Sequence, residues 1–220
     1  MKKKKAGLTL IEMIIVLVLT VIIISIMGTI FLTGNRVFSN TDVKSDLQIE
    51  GQTTQETLSK YAMQGAGIKE VELLNSDYTI DFESTEKSDI ASKAAIMNEW
   101  TPIKKIVIYG VKRIPDPMDS MKEIVVRNEE GYTLILKDVD PADSSKGKEL
   151  SMIDDGSSLG KVLSTNVDSF RIKPSDTGVE FEVILKKKKP FADEKRYPIK
   201  VDVLFRNKGV PFDTLNNSNT

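Results

Sequence analysis

The chain has 220 residues, with 31 Lys and Arg against 32 Asp and Glu, no histidine and no cysteine. That length leaves room for one membrane anchor and one folded domain of ordinary size. Nearly balanced charge offers no global field for nucleic acid. Without cysteine there are no disulfide staples and no thiolate zinc sites, and without histidine the commonest general base and metal ligand is missing. Neither enzymatic chemistry nor a cofactor or metal is expected.

Four lysines (Lys2, Lys3, Lys4 and Lys5) precede Ala6 and Gly7, then comes Leu8-Thr9-Leu10-Ile11-Glu12, and Met13 to Leu32 carries no charge. Those 20 residues make about 30 Å of helix, enough to cross a hydrocarbon core. By the positive-inside rule the lysines hold the N-terminus in the cytoplasm, which leaves the rest of the chain outside the membrane. A signal peptide has a shorter apolar region followed by small residues, whereas Ser25-Ile26-Met27 and Thr29-Ile30-Phe31 are poor cleavage sites. The span is therefore expected to be retained. A charged side chain within a bilayer costs about 2.5–3.5 kcal/mol or more, so Glu12 is expected to have a partner. A plain signal-anchor helix carrying a stray glutamate is the alternative.

The run Gly7-Leu8-Thr9-Leu10-Ile11-Glu12, followed by its apolar segment, resembles the N-terminus of type IV prepilins and pseudopilins. The resemblance implies that a prepilin peptidase cuts between Gly7 and Leu8 and that the new amine of Leu8 is N-methylated. It also implies that Glu12 pairs with the cationic N-terminus of a neighbouring subunit while the helices bundle into a filament. A buried carboxylate and a buried ammonium would then offset one another, which sets register more than it stabilises. Loss of the leader lysines leaves 27 basic against 32 acidic residues, a net charge near −5. Two features depart from common members of the family. Leu8 stands where many have phenylalanine, and no proline kinks the chain before Pro102. Gly28 and Gly34 are the weak points of the first helix.

Past the span, Val43, Leu47, Leu58 and Tyr61-Ala62 fall at intervals that mark a narrow apolar stripe, with Gly51 and Thr54 on the same face. Asp42, Lys44, Asp46, Gln48, Glu50, Gln52, Gln55 and Glu56 fill the other side. Gly65-Ala66-Gly67 is a stop signal. One helix is predicted from about Leu8 to about Met63, half in lipid and half against a globular head. Two helices hinged at Gly28 or Gly34 are the alternative.

The remainder reads as β-rich. Val71 to Leu74 and Tyr78 to Phe82 are short strands, and Glu83 to Lys93 is a loop or short helix. Ile106 to Tyr109 is a strand that Pro115-Asp116-Pro117 terminates. Glu123 to Arg127 and Tyr132 to Leu136 flank Asn128-Glu129-Glu130-Gly131, which reads as a hairpin turn. Asp138 to Gly160 is expected to be a long loop, followed by strands at Val167 to Ile172, Val179 to Leu185 and Ile199 to Phe205. Asp138, Asp140, Asp143 and Glu149 have part of a calcium-loop spacing. However, the sixth position is Asp143 rather than glycine and the ninth is Lys146, so no metal site is expected. Lys186, Lys187, Lys188 and Lys189 form a basic hairpin tip. It reads first as a solvated turn that protects sheet edges, with contact to DNA, teichoic polymers or a host surface as the alternative. Trp100, Tyr109 and Tyr132 are expected to pack in the core or at its edge.

The last strands carry a second resemblance. Asn166-Val167-Asp168-Ser169-Phe170, then Gly178 to Val183, then Val201 to Asn207 closing in Arg-Asn, are similar to larger minor pilins and pseudopilins of the PilW/PulJ type. Gln64 to Gly67 is similar as well. The expected class is α+β: a long N-terminal helix, transmembrane and then amphipathic, packed on a C-terminal antiparallel sheet. The expected division is a leader at 1–7, an assembly half of the helix at 8–34, an amphipathic half at 35–67 and a head at 68–220. The resemblance implies a minor pilin or pseudopilin subunit of a type IV pilus or type II secretion-like filament, placed at initiation or the tip. Its partners would be the prepilin peptidase, other pilins or pseudopilins, and the membrane. A major pilin, or a membrane-anchored binding protein that does not polymerise, is the alternative.

Overall fold

The computed structural model describes residues 9–210 apart from 77, 117, 141–146 and 155–159. In chain order the elements are α1 (Leu10–Gln64), β1 (Gly67–Leu73), β2 (Thr79–Asp81), α2 (Lys87–Ile96), β3 (Thr101–Asp116), β4 (Asp119–Asp138), β5 (Lys148–Ile153), β6 (Lys161–Pro174), β7 (Gly178–Lys187) and β8 (Lys195–Leu204). The class is α+β, a long apolar N-terminal helix followed by an antiparallel sheet. The α1 helix runs through Gly28 and Gly34 without interruption. The chain divides into two compact units. One holds the helix as far as Ser45 together with Lys188–Glu194, and the other holds Asp46–Lys187 and the chain from Lys195 onward.

In the second unit, Leu47, Thr54, Leu58 and Ala62 form the buried stripe of the helix. Burying each leucine contributes about 1.5–3 kcal/mol. They lie over a sheet whose strands alternate inward and outward. Ile199, Val201 and Val203 of β8 are buried while Lys200, Asp202 and Leu204 face out. At the centre the rings of Phe170 and Phe181 stack at 6.2 Å. Gly51 lets the helix approach β8 closely, because a Cβ there would sit 2.6 Å from Tyr197 Cε1. A polar junction pins the same helix face to β6. The Glu50 carboxylate accepts from Ser164 Oγ at 2.6 Å and from Asn166 Nδ2 at 2.9 Å, and Thr54 Oγ1 lies 3.3 Å from the Leu163 carbonyl. At the helix end Tyr132 packs edge-on against Tyr61, with ring centroids 5.1 Å apart, and its hydroxyl reaches Gln64.

The eight strands are ordered β2-β1-β3-β4-β5-β6-β7-β8, all antiparallel. Thr101 and Pro102 of β3 also pair with Ile172 and Arg171 of β6, so β3, β4, β5 and β6 form a closed circuit of pairings. The outward face of β6, β7 and β8 carries cross-strand charge pairs. Glu182 is flanked by Arg171 and Lys200 in one row, and Lys173 meets Glu180 at 3.0 Å in the next.

Two expectations for the head need correction. Asn128–Gly131 is not a hairpin turn, since β4 runs straight through it. Opposite Ile108 and Gly110 of β3 stand Tyr132 and Asn128, so β4 advances four residues where β3 advances two. That mismatch is a bulge. Gly131 sits against the β3 backbone, where a Cβ would lie 1.9 Å from the Ile108 carbonyl oxygen. The reversal comes instead after Asp116, whose partner is Asp119.

The Pro115-Asp116-Pro117 stop holds, since β3 ends at Asp116, although Pro115 itself still pairs with Glu123. Pairing with β1 stops at Tyr109, so this part of β3 has a ladder on one side only and tolerates a missing N–H. Finally, the stretch expected to be a long loop contains β5, held between β4 and β6 with Leu150, Ser151 and Met152 buried. Asp138 and Glu149 lie on these paired strands, opposite Lys148 and Lys137. Asp143 and Lys146 lie outside the described residues. Among the described residues no group of three or more acidic side chains is placed to hold a metal ion.

Candidate assembly site

The first described residues build a complete helix cap. Thr9 is the cap residue and Glu12 stands three positions on. The Thr9 amide donates to Glu12 Oε2 at 2.8 Å, the Thr9 hydroxyl donates to the same oxygen at 2.9 Å, and the Glu12 amide returns a bond to Thr9 Oγ1 at 3.3 Å. This is a capping box, which satisfies two helix N–H groups that would otherwise lack partners. Both Thr9 bonds fall on Oε2, and among the described residues Oε1 accepts none. The signal was present in the sequence as Thr-x-x-Glu ahead of an apolar run, so Thr9 belongs to the site beside the expected Glu12.

Beyond the cap, α1 meets the requirements of a membrane span. From Leu10 to Leu32 the apolar side chains are exposed, and Glu12 is the only charge. The three hydroxyls in this stretch all donate to the carbonyl four residues back: Thr20 to Val16 at 2.7 Å, Ser25 to Val21 at 2.8 Å and Thr29 to Ser25 at 3.0 Å. Where no water is available, such internal bonds remove the cost of a polar group in hydrocarbon. Among the described residues α1 is the one helix long and apolar enough to cross a membrane. Lys2 to Lys5, Gly7 and Leu8 lie outside the described residues.

The basic tip is largely compensated within the chain. Lys186 lies 3.6 Å from Asp168, Lys187 is 2.9 Å from Asp46 and Lys189 is 2.6 Å from Asp42. Lys188 is exposed. Each such surface pair stabilises by about 0–1 kcal/mol, but together they reduce the net charge shown to a polyanion.

Residues 2–28 match the family model described as the prokaryotic N-terminal methylation motif. The match supports a type IV pilin-like protein. No curated protein and no solved structure matches the chain. The matched stretch includes Gly7, Leu8, Thr9, Glu12 and most of the span. The motif indicates a structural subunit, implies processing by a prepilin peptidase and assembly with other pilins, and together with the apolar helix points to membrane anchoring.

The chain also closes α1 at its other end. The Arg206 amide donates to the Met63 carbonyl at 3.2 Å and Asn207 Nδ2 donates to the Gln64 carbonyl at 2.8 Å. These are carbonyls that a helix C-terminus leaves without internal partners. Arg206 and Asn207, in the turn just past β8, thus cap α1 from a distant part of the sequence.

Proposed function

We propose that the chain is a minor pilin or pseudopilin of the PilW/PulJ type, a filament subunit placed at initiation or at the tip. It enters the membrane as a single-pass protein with its N-terminus in the cytoplasm and its head outside. The prepilin peptidase cleaves between Gly7 and Leu8, the Leu8 amine is methylated, and the subunit leaves the bilayer for a surface filament. The observation that carries this reading is the capped Glu12 at the head of an uncharged span. Thr9 satisfies Oε2 within the monomer, so insertion needs no neighbour. Oε1 is left to accept the Leu8 amine of an adjoining subunit. The minor class is supported by the long head and by the Val167-to-Phe170 and Arg206-Asn207 features of the last strands.

A charge-assisted hydrogen bond contributes about 1.5–3 kcal/mol. Glu12→Ala should therefore lower incorporation into filaments about 10- to 100-fold, with the amount in the membrane unchanged. Immunoblots of sheared filaments against membrane fractions measure this. Unchanged incorporation would remove Glu12 from the register role, whereas absence of the unsubstituted chain from filaments would favour a membrane-anchored binding head that does not polymerise.

A further inference from the structure

The segment joining β7 to β8 holds an exposed aromatic side chain in a conformation that bulky residues rarely adopt. Phe191 has φ +63° and is 70% exposed. An open turn would relax such a residue or carry glycine there. Here four contacts fix the segment to α1. Arg36 Nη2 donates to Asp193 Oδ1 at 3.0 Å, Ser39 Oγ donates to the Pro190 carbonyl at 2.7 Å, the Asp193 amide donates to Asn40 Oδ1 at 3.0 Å, and Lys189 reaches Asp42 at 2.6 Å. The Ala192 amide closes the turn onto the Lys189 carbonyl at 3.1 Å, and Ala192 itself is buried. The segment is thus laid against residues 36–42 of the helix, about 9 Å of its length, with Phe191 on the outside.

At that level the helix exposes Val37 and Phe38 beside Arg36, Thr41 and Asp42. Val37 is exposed and Phe38 is 76% exposed, so the apolar surface of the span continues past Leu32. Glu12 and Arg36, the charges bounding the uncharged run, are 24 residues apart, about 36 Å of helix. A bilayer has about 30 Å of hydrocarbon within about 40–45 Å overall. Both charges therefore fall in headgroup layers, and Phe38 with the segment fastened at residues 36–40 falls in the outer one. Side chains with an apolar body are favoured at that depth.

We propose that Pro190-Phe191-Ala192, with Val37 and Phe38, is a membrane-interface anchor that seats on the outer leaflet before assembly, its occupant being the lipid interface itself. Continuity with the span selects lipid over a protein partner, and exposed Lys188 adds attraction to anionic headgroups. The proposal rests on the reading of α1 as a membrane span, and its test separates the two.

Full-length protein carrying Trp100→Phe is reconstituted into phosphatidylcholine vesicles containing phosphatidylglycerol, with bromine placed near the headgroup or near the acyl terminus. Single tryptophans are introduced as Phe191→Trp, Phe38→Trp or Ile22→Trp. Fluorescence of Phe191→Trp and Phe38→Trp should be lost mainly to the shallow bromine, and that of Ile22→Trp mainly to the deep one. If Ile22→Trp is quenched while Phe191→Trp or Phe38→Trp is not, the anchor is wrong and the span stands. If Ile22→Trp is not quenched, the span reading itself fails. Shielding of Phe191→Trp that develops only when further subunits are added would overturn the anchor in favour of a protein contact.

Discussion

Replacing Gly131 by alanine separates two architectures of the head by the sign of its effect. Gly131 is not among the glycines with positive φ, so an alanine could adopt its backbone angles. In an exposed hairpin turn such a change would be neutral, or stabilising by about 0.4–1 kcal/mol through the unfolded chain. In the β4 bulge the added Cβ would lie 1.9 Å from the Ile108 carbonyl oxygen and 2.6 Å from the Gly110 nitrogen. Both obstacles are backbone atoms of the strand at the centre of the circuit, so no rotamer change relieves the overlap. Overpacking into rigid surroundings costs about 1–3 kcal/mol, and backbone displacement puts this site at or above the upper end, about 3 kcal/mol. For a protein of this size 1 kcal/mol corresponds to about 2–4 °C in Tm, so Gly131→Ala should melt about 6–12 °C lower. Thermal unfolding of the full-length protein in mild detergent, followed by the β signal in circular dichroism, measures it. An unchanged or raised Tm would refute the bulge and restore the turn.

Glu50→Ala should destabilise the head by about 2–3 kcal/mol, because Ser164 and Asn166 lose a charged acceptor at a half-buried junction. Glu50→Gln keeps an acceptor and should lose less, as urea denaturation would show. The Tyr78 hydroxyl donates to Asp89, which raises the phenol above its usual value. Asp89 is lowered, first by a bond from Ser84 and then by Tyr78. The sign follows from linkage. The contribution of Asp89 is complete above the ordinary carboxylate pKa and is lost as pH falls through its lowered value. The contribution of Tyr78 is complete below the ordinary phenol pKa and is lost as pH rises through its raised value. Ultraviolet titration should show a late tyrosinate component that Tyr78→Phe removes and Asp89→Asn moves back toward the ordinary range. If neither variant changes the titration, the bond does not form in solution.

The helix was legible because its stripe depends on chain geometry alone. Of the stripe positions, Val43, Leu47, Gly51, Thr54, Leu58 and Ala62 are buried and Tyr61 is half-buried. The last three strands alternate clearly, and Phe170 and Phe181 are central to the core. What misled was local punctuation overruled by distant partners. Asn128 to Gly131 has the composition of a turn, but Gly131 is needed for close approach to Ile108 and Gly110 of β3, far upstream in the chain. Likewise Lys148 to Ile153 is a short, partly charged run whose strand character comes from β4 and β6 on either side. At the candidate assembly site, the cost of Glu12 beside an apolar span says only that a partner is needed. The partner within the chain, Thr9, was signalled by spacing alone.

The central claim is that the Gly7–Leu8 bond is cut and that the exposed Leu8 amine serves assembly. Mass spectrometry of the N-terminal peptide, from protein isolated in the membranes and filaments of its native host, tests this most directly. The account predicts a chain beginning at Leu8 and carrying an added methyl group on its amine. A chain that retains Lys2 to Gly7 in the filament fraction would contradict it.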